Sequence, residues 1–208
     1  MTERRLMLLG VLATLLVLVT GWLWLRPAGG DQFAQCRRST VAGGTEALGG
    51  SFTLTDENGQ RVTDQQVFDR PTILYMGYTY CPDVCPMDTA RNAAAVDVLA
   101  ERGISARPVF VSVDPARDTP EQLRFFTDAI HPEMLGLTGS IEEVTAVSQA
   151  WRGYFRINDS EDKENYLVDH TTNSFLVLPG HGTVEFFTRE VSPEEMADRV
   201  ACFVEAAG

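Results

Sequence analysis

Two hydrophobic textures divide this chain. From Leu6 to Leu25 no residue is charged, and Leu, Val, Ala, Met and Trp fill most places. Such a run, at about 1.5 Å per residue, covers about 30 Å, the hydrocarbon thickness of a bilayer. Arg4 and Arg5 precede it, and Trp22 and Trp24 stand near its far end, where interfacial aromatic residues belong. A cleaved signal peptide would carry a shorter apolar region and a small-x-small site, whereas this run leads into Trp-Leu-Trp-Leu-Arg. Residues 1–26 are therefore expected to be a retained single-pass transmembrane anchor. Its N-terminus is expected in the cytoplasm and everything after Arg26 across the membrane. The short stretch before the anchor holds no transit peptide, which points to a bacterial inner membrane and a periplasmic domain. Residues 27–49, rich in Gly, Ala and Thr and without apolar period, read as a linker.

From residue 50 onward the apolar positions fall into short strands and amphipathic helices. Residues 51–55 alternate, 57–60 turn and 61–63 resume, as a small hairpin does. Pro71 introduces a continuous apolar strand over 72–77, and 107–113 reads as a second. Helical spacing covers 86–102, 119–130 and 141–154, with Thr119 and Ser140 as N-caps and Pro120 at a first helical position. A short strand over 135–138 separates the last two. Strands over 166–169, 174–178 and 184–187 follow, and a capping box at Ser192 opens a final helix running to Val204. This order predicts an α/β domain over 50–208, a mixed sheet flanked by helices.

The whole chain carries a net charge of −12, and the first 26 residues contribute three Arg against one Glu, so the domain is more acidic still. A surface of that sign argues against nucleic acid as a partner. The candidate chemistry lies in the cysteines. Cys81 and Cys85 follow the 72–77 strand directly, and the spacing expects both sulfurs on one face of a helix's first turn, where the thiolate is favoured. Such a pair serves either as a metal clamp or as a redox disulfide. Placed at a strand-to-helix junction, it suggests a thioredoxin-like fold. Cys36 and Cys202, at the two ends of a domain in an oxidising compartment, pair most simply as a structural disulfide; two free thiols are the alternative. Of the three histidines, His131 and His181 read as solvated loop residues. His170 closes the 166–169 strand and shares a rim with the Cys81 loop. Two thiolates and an imidazole suit Cu(I), with Cu(II) or Zn(II) also chemically admissible, and a Cys–His catalytic pair is the other option.

Three segments together resemble the Sco/SenC family of copper chaperones. They are Cys81-Pro82-Asp83-Val84-Cys85-Pro86, Val111-Ser112-Val113-Asp114-Pro115 with Arg117-Asp118-Thr119-Pro120, and Leu167-Val168-Asp169-His170-Thr171. The resemblance covers residue 50 to the C-terminus and implies a thioredoxin-like, peroxiredoxin-related fold. It implies copper, Cu(I) or Cu(II), held by Cys81, Cys85 and His170, and its delivery to the CuA centre of cytochrome c oxidase. Asp114 then matches a family acidic residue beside the site, supporting the ligands or meeting the partner, and Asp169 either orients the His170 loop or simply caps the strand end. A thiol-disulfide reductase, using Cys81 and Cys85 to keep the acceptor's cysteines reduced, is the alternative function.

Overall fold

Residues 2–25 form a helix, α1 (Thr2–Leu25), in the computed structural model, which describes residues 2–25, 31–158, 162 and 165–208. Within α1 the hydroxyls of Thr14 and Thr20 donate back to the carbonyls of Gly10 and Leu16, so neither polar group needs a partner outside the helix. Leu15, Leu16, Val17 and Leu18 are exposed. Among the described residues no helix is long and apolar enough to cross a membrane. The chain divides into two units, Met1–Ala34 and Gln35–Gly208.

The second unit is built on a seven-stranded mixed sheet. In chain order its elements are β1 (Thr53–Asp56), β2 (Arg61–Thr63), α2 (Asp64–Val67), β3 (Thr72–Gly77), α3 (Val84–Glu101), β4 (Arg107–Ser112), α4 (Pro120–Asp128) and β5 (Leu135–Thr138). There follow α5 (Ile141–Ala150), β6 (Phe155–Ile157), β7 (Val168–His170), β8 (Ser174–Leu178), β9 (Gly182–Phe187) and α6 (Pro193–Ala207). The sheet order is β2-β1-β5-β4-β3-β8-β9, with β3, β4 and β5 parallel and the others antiparallel to their neighbours. Every residue of β3 is buried, as a central strand covered on both faces requires, and this is why it reads as an unbroken apolar run. α3 packs on α6 and over β3 and β4, α4 on β5, and α5 on β1. The N-caps Thr119, Ser140 and Ser192 each accept from the N–H three residues on.

The structure departs from the sequence expectation in three places. α5 stops at Ala150, where buried Trp151 caps it and Arg152 takes a positive φ of 52°. Gly153 follows because a Cβ there would meet Ser148 Oγ at 2.9 Å and its carbonyl at 3.1 Å. The chain then returns as β6, which pairs antiparallel with β7 to make a separate two-stranded ribbon. The expected 166–169 strand is thus β7, outside the main sheet. Third, residues from Gln35 onward, expected as linker, belong to the globular unit. The buried Glu185 carboxylate accepts the N–H groups of Arg38 and Ser39 and pairs with Arg199 at 2.8 Å. Cys36 is joined to Cys202 of α6 in a disulfide, Cα–Cα 5.7 Å.

Candidate metal centre

β3 ends at Gly77, whose carbonyl accepts the N–H of Val113, so the strands on either side deliver two loops to the same sheet edge. The first loop, residues 78–83, turns into α3. Cys81 lies in this loop, ahead of the N-cap Asp83, and not on the helix's first turn as its spacing to Cys85 had implied. Asp83 makes no side-chain cap. The Cys81 sulfur takes that role instead, accepting the N–H of Cys85 at 3.4 Å. The loop folds back so that both sulfurs are buried and reduced, at 7 % and 0 % exposure. Asp118 anchors it, its carboxylate accepting from the Thr79 N–H (3.0 Å) and hydroxyl (2.7 Å). Burial raises the pKa of that Asp118 carboxyl.

The second loop is the β6–β7 ribbon. It brings His170 Nε2 to 3.2 Å from Cys85 Sγ. His170 Nδ1 lies 3.0 Å from the carbonyl of Thr171, which can only accept, so Nδ1 carries the proton and Nε2 presents a lone pair to the sulfurs. The rings of Tyr75 and Tyr78 meet the imidazole edge-on at 6.2 and 5.8 Å. One atom each from Cys81, Cys85 and His170 lies within 4.8 Å of the others. Metal bonds of about 2.3 Å to sulfur and about 2.0 Å to nitrogen set ligand edges of about 3.7–4.0 Å in a planar three-coordinate site, so one ion fits among them after shifts of well under an ångström. Among the described residues this is the one grouping of three such side chains suited to a metal. His131 faces Asp97 at 3.2 Å, and His181 is exposed in the β8–β9 turn.

The two thiols divide their protons unequally. The Cys81 thiol is pushed down to about 4, chiefly by the hydrogen bond from Cys85; burial opposes this, and the N–H groups of Asp83 and Cys85 add to it. The Cys85 thiol is pushed up, by that same bond and by burial. The pair therefore gives up one proton readily and holds the second, with the charge on Cys81. Beside them, burial and then the adjacent sulfur raise the Tyr78 hydroxyl to about 12. Tyr75 is raised by burial and by Cys85 and Asp88, and its hydroxyl bonds Asp88 at 3.1 Å.

Asp114 has no exposed surface, so it has none with which to meet a partner protein; it accepts from Arg117 Nε and from the Tyr166 hydroxyl, each at 2.6 Å. Asp169 is exposed and pairs with Arg156 (2.9 Å) and Asn158 Nδ2 (3.1 Å), strapping β7 to β6 directly beside His170. Sequence reasoning missed Tyr75, Tyr78 and Arg117. The tyrosines were hidden in an apolar strand and its edge, and Arg117 in a turn where its ion pair with Asp114 is local but its contacts with the rings of Tyr78, Tyr80 and Tyr166 are not.

The sequence model of the SCO1/SenC family matches residues 40–205. The chain belongs to the SCO1/SenC family. Protein SenC of Rhodobacter capsulatus is 49% identical to it over 176 residues, 85% of this chain and 79% of that protein. Mitochondrial SCO1 homolog 1 of Arabidopsis thaliana is 40% identical over 158 residues, 76% of this chain, and the match spans 47% of that longer protein. Among solved structures, Arabidopsis thaliana ScoI with copper bound superposes with a TM-score of 0.72 at 38% identity, covering 76% of this chain and 99% of that one. The mixed sheet flanked by helices is the architecture of the Sco structures, and the thioredoxin-like expectation agrees with it.

Proposed function

We propose that this SCO1/SenC protein is a membrane-anchored copper chaperone. It holds copper through Cys81, Cys85 and His170 and delivers it to the CuA centre of cytochrome c oxidase. The observation that carries the reading is the convergence of two sulfurs and an imidazole within 4.8 Å, with the imidazole's other nitrogen already committed to Thr171. Soft sulfurs select a soft ion, and relatives solved with copper bound share the fold at 38% and 32% identity. At neutral pH Cys81 enters as a thiolate and Cys85 gives up its proton, so loading releases about one proton per ion. The uncharged run from Leu6 to Leu25 supports an anchor over residues 1–26 that holds the domain at the periplasmic face of an inner membrane. Membership of a family with a role in cytochrome c oxidase assembly supports that acceptor.

One observation favours a second reading, a thiol-disulfide reductase: Cys81 is a thiolate at working pH. It would attack an acceptor disulfide to form a mixed disulfide. Cys85, on losing its proton, would displace the acceptor thiol and leave a Cys81–Cys85 disulfide. The Cys85 proton has to leave in this reaction as in copper loading, so the imidazole of His170, which a disulfide exchange does not require, is what favours the metal reading. Mixing the copper-loaded full chain with the reduced, copper-free CuA-bearing subunit tests the proposal. Growth of the CuA absorption with matching loss of copper from the donor is expected. No transfer, together with reduction of the separately oxidised subunit's disulfide by the reduced, copper-free protein, would favour the reductase.

A further inference from the structure

The β6–β7 ribbon pairs with no strand of the seven-stranded sheet, so sheet hydrogen bonds do not fix His170 against the cysteines. One tie is direct, from the Tyr78 hydroxyl to the backbone of Val168 in β7, and the turn after β4 supplies a second. At one end, Asp118 grips the Cys81 loop through Thr79. At the other, Asp114 accepts the hydroxyl of Tyr166, four residues before His170 on the chain entering β7. Arg117 stands between the two, ion-paired to Asp114 at 2.6 Å. Its guanidinium lies 3.5 Å from the ring centre of Tyr166 and 4.8 and 5.7 Å from those of Tyr80 and Tyr78. One cation thus touches aromatic rings from both halves of the site, and the ring of Tyr78 continues to the imidazole of His170. Asp114 and Arg117 are almost wholly removed from solvent, where a charge-assisted contact is directional and hard to replace by water.

We propose that Asp114, Arg117 and Tyr166 form the joint that sets His170 Nε2 against the two sulfurs, so that copper affinity and the ligand set depend on residues that touch no metal. The inference rests on the reading of Cys81, Cys85 and His170 as the copper ligands. With the joint intact, the imidazole stands ready before the ion arrives and no ordering of the ribbon has to accompany binding. With it loosened, the two sulfurs remain in place and the nitrogen drifts. Residues that orient a metal's ligands from behind typically change affinity about ten- to hundredfold when altered.

The test uses the reduced full chain in detergent: wild type, Tyr166→Phe, Arg117→Lys and His170→Ala. Cu(I) affinity is read by competition and the ligand set from the thiolate-to-Cu(II) absorption, each with and without added imidazole. Tyr166→Phe and Arg117→Lys are expected to weaken Cu(I) binding about tenfold or more. Their spectra are expected to shift toward that of His170→Ala, with imidazole restoring affinity in all three and leaving wild type unchanged. Affinity and spectra equal to wild type in both joint variants, with His170→Ala still weakened, would overturn the proposal. So would weaker binding with an unshifted spectrum and no rescue, which marks a general loss of structure. Should Tyr166→Phe fail to fold, Arg117→Lys, which keeps the charge and loses the planar stacking, decides the matter. If His170→Ala binds as tightly as wild type, the ligand reading itself fails and the joint falls with it.

Discussion

An alanine at position 77 is the smallest change that reaches the metal centre. The Gly77 backbone is outside the left-handed region, so the substitution carries no backbone strain. Its cost is steric. A Cβ at that position would lie 2.9 Å from Cys85 Sγ, 2.9 Å from Tyr75 Cε1 and 3.1 Å from Phe110 Cε2. Carbon contacts are comfortable at about 3.5–4.0 Å, so each neighbour must retreat by roughly half an ångström or more. None has free space, since all three side chains are fully buried. Overpacking of this kind costs about 1–3 kcal/mol, and the lower entropy of the unfolded alanine chain offsets about 0.4–1 kcal/mol of it. The net, about 1–2 kcal/mol, corresponds to a fall in Tm of about 2–8 °C for a unit of this size. The larger consequence is local. The new methyl pushes on the Cys85 sulfur, which faces His170 Nε2 at 3.2 Å, so Cu(I) affinity falls about tenfold or more. Thermal unfolding of the reduced protein and Cu(I) competition measure the two effects. Wild-type Tm together with wild-type copper affinity would refute this reasoning, because it would mean that Cys85 is not held where the packing puts it.

Three further outcomes follow from the charges and the crosslink. The Cys81 thiol titrates near 4 against an ordinary value of about 8.5, so alkylation of Cys81 in the reduced protein stays fast from pH 8 to 5 and falls with a midpoint near pH 4; a midpoint near 8.5 contradicts the thiolate. Because the folded value is depressed, the stability it lends is complete above the unfolded value, declines as pH falls and is gone below about 4, which a comparison with Cys81→Ser measures. Replacing both Cys36 and Cys202 by Ser opens a loop spanning 166 residues and lowers the unfolding free energy by up to about 5 kcal/mol in the chain-entropy model, read as a lower urea midpoint; an unchanged midpoint would show that the N-terminal strap is held by other contacts. Burial alone would raise the Glu185 carboxyl, but the Arg38 N–H and the Arg199 guanidinium outweigh it and hold it below the usual range. Arg199→Met therefore leaves that buried charge poorly compensated and costs about 3–5 kcal/mol in denaturant unfolding, whereas a loss under about 1 kcal/mol would make the pair dispensable.

How much of this was legible in the sequence depended on the range of the forces involved. β3, β5 and β8 fell where their unbroken apolar runs and flanking turn residues put them, because a buried strand writes its environment into every position. β6 did not. Phe155, Arg156 and Ile157 are too few to show a period, and they follow a helix whose stop is a single left-handed Arg152. Of the strap from Gln35 only the Cys36–Cys202 pairing was legible; the rest was hidden because its Gly-, Ala- and Thr-rich composition imitates a linker and its other partner, Glu185, lies some 150 residues away. The metal centre divides the same way. The Cys81–Cys85 pair announces itself through spacing, but the contact between Cys85 and His170 spans 85 positions and has no local signature. Its strand-end position marked His170 as a candidate, and the resemblance of its surrounding segment to a family made it a ligand. Arg117 stood in one of the resembling segments and Tyr166 at the start of an expected strand, but neither showed its role, which exists only where two separate loops meet.

The most direct test of the central claim is a Cu(I) titration of the reduced full chain against a chromophoric competitor, wild type beside His170→Ala. One copper per wild-type chain is expected, and binding at least about tenfold weaker without the imidazole. Equal affinity in the two proteins would contradict that claim.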